Sequence, residues 1–215
     1  MKISAPSFVI PADRVSNVRY LKNMVDEVEL LFFDSRHEFD MPEESEIAAL
    51  AKLGMAYSAH LPTDTDLNTP DGWRVIDAYL EKLKPLNLKR AVIHPVETSF
   101  FLKELAKRPD VIIENTDFHG SFFDEAVGMG FRICFDNAHA GANAYQFHER
   151  YAPHIAEYHL QGETGGKHHK SLEHIETNLL ESILKHAKRN GATVCLEMFN
   201  EDDFLVSYEI IKEYK

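Results

Sequence analysis

The chain has 215 residues, enough for a domain with a sizeable core, and its 44% hydrophobic and 27% charged residues are typical of a globular protein. Its formal net charge of −12 disfavours duplex DNA and anionic membranes as partners, because both attract basic surfaces. The absence of a run of about 18 apolar residues argues against a membrane span. With two cysteines only, no disulfide framework is expected. We therefore expect a single domain over residues 1–215 in the cytoplasm, with an oligomeric state that the sequence leaves open.

Short apolar runs alternate with longer segments of helical period along the chain. Helix starts are indicated where Thr69 precedes Pro70, and where Asn200 precedes three acidic residues. Eight apolar runs predict strands: 7–11, 28–33, 56–61, 91–95, 111–116, 132–139, 157–162 and 193–199. Strands separated by helices favour parallel pairing, and eight such units predict an α/β fold of the (β/α)₈ TIM-barrel type. The alternative, an open doubly wound sheet, lacks a Gly-x-Gly-x-x-Gly turn after the first strand.

Six consecutive predicted strands carry a histidine or a carboxylate near the carboxyl end. These residues are His60, His94, Glu114, Asp136, His139, His159 and Glu197. The carboxyl ends of barrel strands converge around one axis, where barrel enzymes build their active sites. Crowded imidazoles and carboxylates need a cation among them, so the pattern predicts divalent metal, with zinc, manganese, iron and cobalt all compatible.

Several other residues are assigned from the pattern alone. Cys134 and Cys195 lie two positions before Asp136 and Glu197, so alternation places them one layer deeper, where they fill the core. Glu29, in the second strand, is either a barrel salt bridge or a substrate contact. The remaining six histidines, which lack a partner pattern, are expected at the surface: His37, His119, His148, His154, His174 and His186.

The segment 162–172 is rich in glycine and cations. One interpretation is a pliable loop whose cations bind an anion such as phosphate, while one of its histidines supplies a further metal ligand; the cations are Lys167, His168, His169 and Lys170. The other interpretation is a solvated basic loop without a function.

At these residues the sequence resembles the xylose-isomerase-like barrel superfamily, which includes endonuclease IV and sugar isomerases and epimerases. The resemblance covers nearly the whole chain and implies that Glu114 bridges two metal ions. It implies that His60 and His94 are the other ligands of one ion, and that Asp136, His159 and Glu197 are the other ligands of the second ion. It also relates His139 and His169 to a third ion, although this chain has Lys167 or His168 near the position where that family has an aspartate.

A closer resemblance is to the cobamide-remodelling phosphodiesterases of the same superfamily. It rests on the segments 10–13, 17–21 and 25–30, on His60-Leu61-Pro62 with Asp64, on 169–172 and on 196–204. That family usually has Asp-His where this chain has His168-His169. The resemblance implies two metal ions and hydrolysis of the nucleotide-loop phosphodiester of vitamin B12-type cofactors, which allows the lower ligand to be exchanged.

The leading hypothesis is therefore a metal-dependent hydrolase acting on a small-molecule phosphodiester, with Glu114, Asp136 and Glu197 as catalytic residues and two bound ions. The first alternative is a sugar isomerase or epimerase that uses one metal, with glutamates moving a proton. A DNA repair enzyme like endonuclease IV ranks third, because the net charge of −12 disfavours nucleic acid. A barrel that only binds a cobamide or a sugar is a non-enzymatic alternative.

Overall fold

Strands and helices alternate through the computed structural model, which describes residues 1–35, 41–116 and 120–214. The strands are β1 (Lys2–Pro6), β2 (Glu27–Leu31), β3 (Ala56–His60), β4 (Ala91–Ile93), β5 (Val111–Glu114), β6 (Ile133–Asp136), β7 (Ile155–Leu160), β8 (Gly162–Thr164), β9 (Lys167–Lys170) and β10 (Thr193–Leu196). The α-helices are α1 (Arg14–Leu21), α2 (Glu44–Leu53), α3 (Pro70–Leu83), α4 (Ser99–Leu105), α5 (Gly120–Gly128), α6 (Asn137–Ala140), α7 (Ala144–Tyr151), α8 (Thr177–Asn190) and α9 (Glu201–Lys212).

Eight parallel strands close into a barrel in the order β1-β2-β3-β4-β5-β6-β7-β10. Strands β8 and β9 form a separate antiparallel hairpin after β7. The predicted (β/α)₈ barrel is therefore confirmed, and the open sheet is not observed. Because all eight barrel strands run the same way, their carboxyl ends share one rim.

Local signals in the sequence account for the helices around the barrel. The Thr69 side chain accepts a hydrogen bond from the Gly72 amide, and Pro70 begins α3. The Asn200 side chain likewise accepts from the Asp203 amide at the start of α9. Both predicted helix starts are thus confirmed, and apolar residues of each helix, such as Trp73 and Phe204, are buried in the core.

The prediction for the first strand was wrong. Residues 2–6 form β1, whereas 7–11 form turns and bends. The backbone amides of Val9 and Ile10 donate hydrogen bonds to Asn17 Oδ1, at 2.8 and 2.9 Å, instead of to a neighbouring strand. A side chain from α1 therefore overrides the strand preference of this segment.

Two further boundaries differ from the sequence-based prediction. Residues 132–139 were expected to be one strand, but β6 ends at Asp136, whose carboxylate accepts from the amides of Ala138 and His139 and caps α6. Residues 162–172 were expected to be a pliable loop, but they contain the β8–β9 hairpin. His139 consequently lies on a helix rather than a strand.

The prediction that six histidines lie at the surface was wrong for one of them. His148 is buried, with 3% of its surface exposed, and contacts the Tyr158 hydroxyl at 3.2 Å. His154 and His186 are half-buried and His174 is exposed, while His37 and His119 lie outside the described residues. Among the helices that the structure describes, none is long and apolar enough to cross a membrane.

Candidate metal centre

Seven acidic and imidazole side chains meet at the carboxyl rim of the barrel. His60, Glu114 and Asp136 are the last residues of β3, β5 and β6, and His159 is the penultimate residue of β7. The other three follow a strand directly or lie on the short helix after it: His94, His139 and Glu197. Three sets drawn from these seven residues have ligand atoms within 4.8 Å of one another, namely His60–His94–Glu114, Glu114–Asp136–His139 and Asp136–His159–Glu197.

Glu114 lies at the centre of this arrangement and is 1% exposed. Its Oε2 atom is 2.9 Å from His60 Nε2 and 3.5 Å from His94 Nε2. Its Oε1 atom is 3.3 Å from His139 Nδ1 and 3.6 Å from His159 Nδ1. The two oxygens of one carboxylate thus face two different groups of imidazoles.

The hydrogen bonds of His60 define the charge that this site requires. Its Nδ1 atom lies 3.1 Å from the Leu61 carbonyl, which only accepts, so Nδ1 carries a proton. Its Nε2 atom faces the Glu114 carboxylate, which as an anion also only accepts. In a neutral ring the lone pair of Nε2 would point at a negative oxygen. The contact is favourable only when a proton or a metal cation lies between them.

Asp136, His159 and Glu197 form the second group, on the side of Glu114 Oε1. His159 Nδ1 is 4.0 Å from Glu197 Oε1, and neither ring nitrogen has a hydrogen bond of regular geometry among the described residues, although Nε2 lies 3.1 Å from Glu29 Oε2. Asp136 is fully buried and His159 is 1% exposed. An unsatisfied nitrogen buried between carboxylates is costly without a ligand, so its position suits a metal ion.

Gln161 was missed by the sequence analysis. Its Nε2 atom donates to Asp136 Oδ2 at 2.9 Å and to Glu197 Oε2 at 2.7 Å, which holds these two carboxylates side by side. Its Oε1 atom accepts from the His169 amide at 2.8 Å. The available signal was strand alternation, because Gln161 lies two positions after His159 and points to the same face.

Two asparagines fix the backbone beneath these ligands and were also missed. The Asn115 side chain exchanges two hydrogen bonds of 2.8 Å with the backbone of Asp136. The Asn137 side chain does the same with the backbone of Gln161, at 2.9 Å for both bonds. Each side-chain amide continues the hydrogen-bonding pattern of a sheet beyond the point where strand pairing ends, and this fixes the backbone that carries the proposed ligands.

Burial and neighbouring charges shift the proton affinities of the site. Burial raises the pKa of Glu114, but the imidazoles of His159, His139 and His60 outweigh it, and the pKa lies well below its ordinary value. The hydrogen bond to Glu114 raises the pKa of His139 to about 9. Burial raises the pKa of Glu197 well above its ordinary value, and Asp136 adds to the shift although His159 opposes it.

Burial lowers the pKa of His159, yet the acidic groups around it raise that pKa well above its ordinary value on balance. Burial also lowers the pKa of His60, but the hydrogen bond to Glu114 and its charge raise it more, so this pKa is raised on balance. Protons on the imidazoles therefore balance the buried carboxylates when no other cation is present. Divalent ions can displace those protons, so the donor set fits metal chemically.

The β8–β9 hairpin brings a further histidine to this rim. His169 has a φ of 56°, a left-handed conformation that is uncommon outside glycine. Three contacts hold it there. Its backbone amide donates to Gln161 Oε1, and its Nδ1 atom lies 3.0 Å from the Glu197 carbonyl oxygen. The centroid of its ring lies 4.1 Å from that of Phe199. Lys167 and His168 are exposed on the same hairpin.

Glu29 lies one layer below the rim and is fully buried. Its Oε2 atom is 3.1 Å from His159 Nε2 and accepts from Cys195 Sγ at 3.4 Å. Its charged partner inside the barrel is His159, and its role as a substrate contact stays a prediction. Cys134 and Cys195 are fully buried, and burial raises the pKa of both thiols well above the ordinary value. Such thiols are poor nucleophiles.

The other end of the barrel has its own buried charges. Arg90 Nη2 is 2.5 Å from Glu27 Oε1, and Arg90 also makes a paired contact with Glu157. Burial raises the pKa of Glu157 although Arg90 opposes the shift. This cluster closes the floor of the barrel, and its described side-chain hydrogen bonds and ion pairs join its own three residues and no proposed metal ligand.

Comparisons with known proteins identify the fold. No family model and no curated protein matches the sequence. The structure is similar to a D-tagatose 3-epimerase-like protein, with 20% identity, a TM-score of 0.75 and coverage of 100% of this chain and 97% of that chain. It is similar to endonuclease IV from Thermus thermophilus, with 14% identity, a TM-score of 0.71 and coverage of 100% and 98%.

A third similar structure is D-psicose 3-epimerase in the presence of D-fructose, with 13% identity, a TM-score of 0.69 and coverage of 96% and 90%. Identities this low show a shared fold. The chain accordingly has the xylose-isomerase-like TIM-barrel fold of these epimerases and of endonuclease IV.

Proposed function

We propose that this protein is a divalent-metal-dependent phosphodiesterase. The observation that carries the proposal is the position of Glu114, whose Oε2 faces His60 and His94 while its Oε1 faces His139 and His159. A carboxylate shared in this way is suited to bridging two cations. Two adjacent cations, when bound, neutralise the phosphoryl oxygens and activate water for hydrolysis.

The residues around Glu114 would have different roles in this function. His60, His94 and Glu114 would hold one ion, and Asp136, His159 and Glu197 the other, with Glu114 shared. Gln161 orients Asp136 and Glu197. The exposed Lys167 and His168 are available to contact substrate oxygens, and His169 to contact an ion or the phosphate.

The substrate class follows from charge and from the sequence resemblance. An enzyme that grips nucleic acid needs a basic surface, and the net charge of −12 opposes that. The resemblance to the cobamide-remodelling phosphodiesterases supports the nucleotide-loop phosphodiester of a cobamide as substrate. Hydrolysis there would release the lower-ligand nucleoside portion.

A sugar isomerase or epimerase is the second candidate, favoured by the structural similarity to the two epimerases. One ion held by Glu114, Asp136, His159 and Glu197 would suffice for it. In that case His60 and His94 would have no metal to bind, although they converge on Glu114 Oε2.

A metal count combined with a substrate panel separates these functions. The purified protein is loaded with zinc or manganese, analysed for metal per chain, and incubated with adenosylcobalamin, D-fructose and a duplex with an abasic site. We expect two ions per chain and turnover of adenosylcobalamin. Glu114→Ala should abolish this turnover. Glu125→Ala, at an exposed site on α5, should retain it. One ion per chain with epimerised sugar would overturn the proposal, and so would cleavage of the duplex alone.

A further inference from the structure

Three phenylalanine rings form a patch beside the metal centre. Phe8, Phe33 and Phe199 follow β1, β2 and β10, which are neighbours in the barrel. Their ring centroids are 5.8 Å apart for Phe8–Phe33 and 6.1 Å apart for the two pairs with Phe199. Phe8 is 44% and Phe33 is 50% exposed. Single exposed apolar residues are ordinary, but contiguous aromatic patches mark binding sites.

The phenylalanine patch is continuous with the proposed catalytic residues. Phe199 packs on the His169 ring, with centroids 4.1 Å apart. His169 Nδ1 is in turn 3.9 Å from Glu197 Oε2. A group bound against Phe199 would therefore lie close to a substrate atom held at the metal centre, and Phe8 and Phe33 lie one ring further out.

A cavity of about 620 Å³ adjoins the patch and includes Phe8 and Phe33 in its wall. This volume is within the usual range for small-molecule sites, roughly 300–1,000 Å³. The rest of the wall carries polar groups, among them Ser7, Asp13 and Arg14. A planar ring with a polar substituent suits this combination better than an aliphatic chain, because aromatic faces stack on rings and the exposed Asp13 carboxylate can accept a further hydrogen bond.

We propose that Phe8, Phe33 and Phe199 form a subsite for a heteroaromatic ring that the substrate carries next to its phosphate. The inference rests on the proposed function, which places the phosphate at the metal centre. It adds that the ring, rather than the phosphate alone, contributes to affinity.

Binding of two half-ligands tests the subsite separately from the chemistry. Adenosine carries a ring without a phosphate, and ribose 5-phosphate carries a phosphate without a ring. Both are titrated by calorimetry into the full-length, manganese-loaded protein and its Phe8→Ala, Phe33→Ala and Tyr145→Ala variants. Tyr145 is an exposed aromatic residue on α7, 47% exposed, and serves as the control.

We expect Phe8→Ala and Phe33→Ala each to weaken adenosine binding about tenfold, as the loss of a stacking partner does, and to leave ribose 5-phosphate unchanged. Tyr145→Ala should change neither. Adenosine that does not bind, or that binds these variants as tightly as the parent protein, would overturn the subsite. So would a dimer in solution that the Phe8→Ala and Phe33→Ala variants dissociate, since the patch would then be covered by a second copy. Adenosine binding without ribose 5-phosphate binding would sustain the subsite and count against the proposed phosphodiesterase.

Discussion

His159 Nε2 lies 3.1 Å from Glu29 Oε2, in the fully buried layer below the metal centre. A carboxylate behind an imidazole keeps the proton on the nitrogen that faces it, which leaves the other nitrogen as a ligand. Here that other nitrogen is Nδ1, which points towards Glu114 and Glu197. The contact between strands β7 and β2 thereby sets the tautomer of a proposed ligand.

Glu29→Gln should weaken zinc binding by about 10–100-fold, the usual cost of losing such a supporting carboxylate. A neutral amide accepts less strongly from Nε2 and can also donate to it, which would place the ring proton on Nδ1. Competition with a chromophoric chelator at pH 7 measures the affinity. Glu125→Gln, at an exposed site, is the control, and equal affinity in both variants would contradict the role given to Glu29.

Gln161→Leu should lower the free energy of unfolding of the metal-free protein by about 2 kcal/mol. The Nε2 group donates to both Asp136 and Glu197, and each hydrogen bond contributes about 1 kcal/mol. Urea unfolding in the presence of a chelator measures the loss. Gln146→Leu, at an exposed position on α7, should change the stability little, and an equal loss there would argue against a specific role for Gln161.

Arg90→Met should destabilise the fold by about 3–5 kcal/mol, because the buried carboxylates of Glu27 and Glu157 lose their cation. The cluster lies at the opposite end of the barrel from the metal centre, so the zinc affinity of the folded fraction should stay the same. Urea unfolding and chelator competition measure the two quantities. Arg132→Met, at an exposed site, provides the comparison, and a fall in zinc affinity for Arg90→Met would contradict the separation of the two clusters.

The stability of the protein should fall in mild acid through His148. Burial, with a smaller contribution from His186, lowers the pKa of His148 to about 4, whereas the unfolded chain titrates near its ordinary 6.5. Between these values the unfolded state binds more protons, so stability rises with pH, and lowering the pH from 7 to 5 costs about 2 kcal/mol.

His148→Gln should remove that part of the pH dependence. Urea unfolding at pH 7 and pH 5 measures it as the difference between the parent protein and the variant. His174→Gln, at an exposed position, should behave like the parent. An unchanged pH dependence in His148→Gln would show that other groups cause the loss in acid.

The barrel and its rim of ligands could be predicted because both depend on local pattern. Alternating strands and helices specify a parallel sheet, and parallel strands bring their carboxyl ends together, so His60, Glu114 and Asp136 could be placed at one rim from their positions alone. Helix caps such as Thr69 and Asn200 are equally local. The first strand was misplaced because Asn17, from the following helix, takes the amides of an apolar segment that otherwise favours a strand.

Residue order along the chain thus determined the fold class and the set of candidate ligands. The tertiary structure alone decided which atoms face each other: the two sides of Glu114, the bridging amide of Gln161, the carboxylate behind His159 and the burial of His148. These relations join side chains on different strands, or on a strand and a helix. Their distances depend on how the barrel closes and how side chains pack, and periodicity carries no information about either.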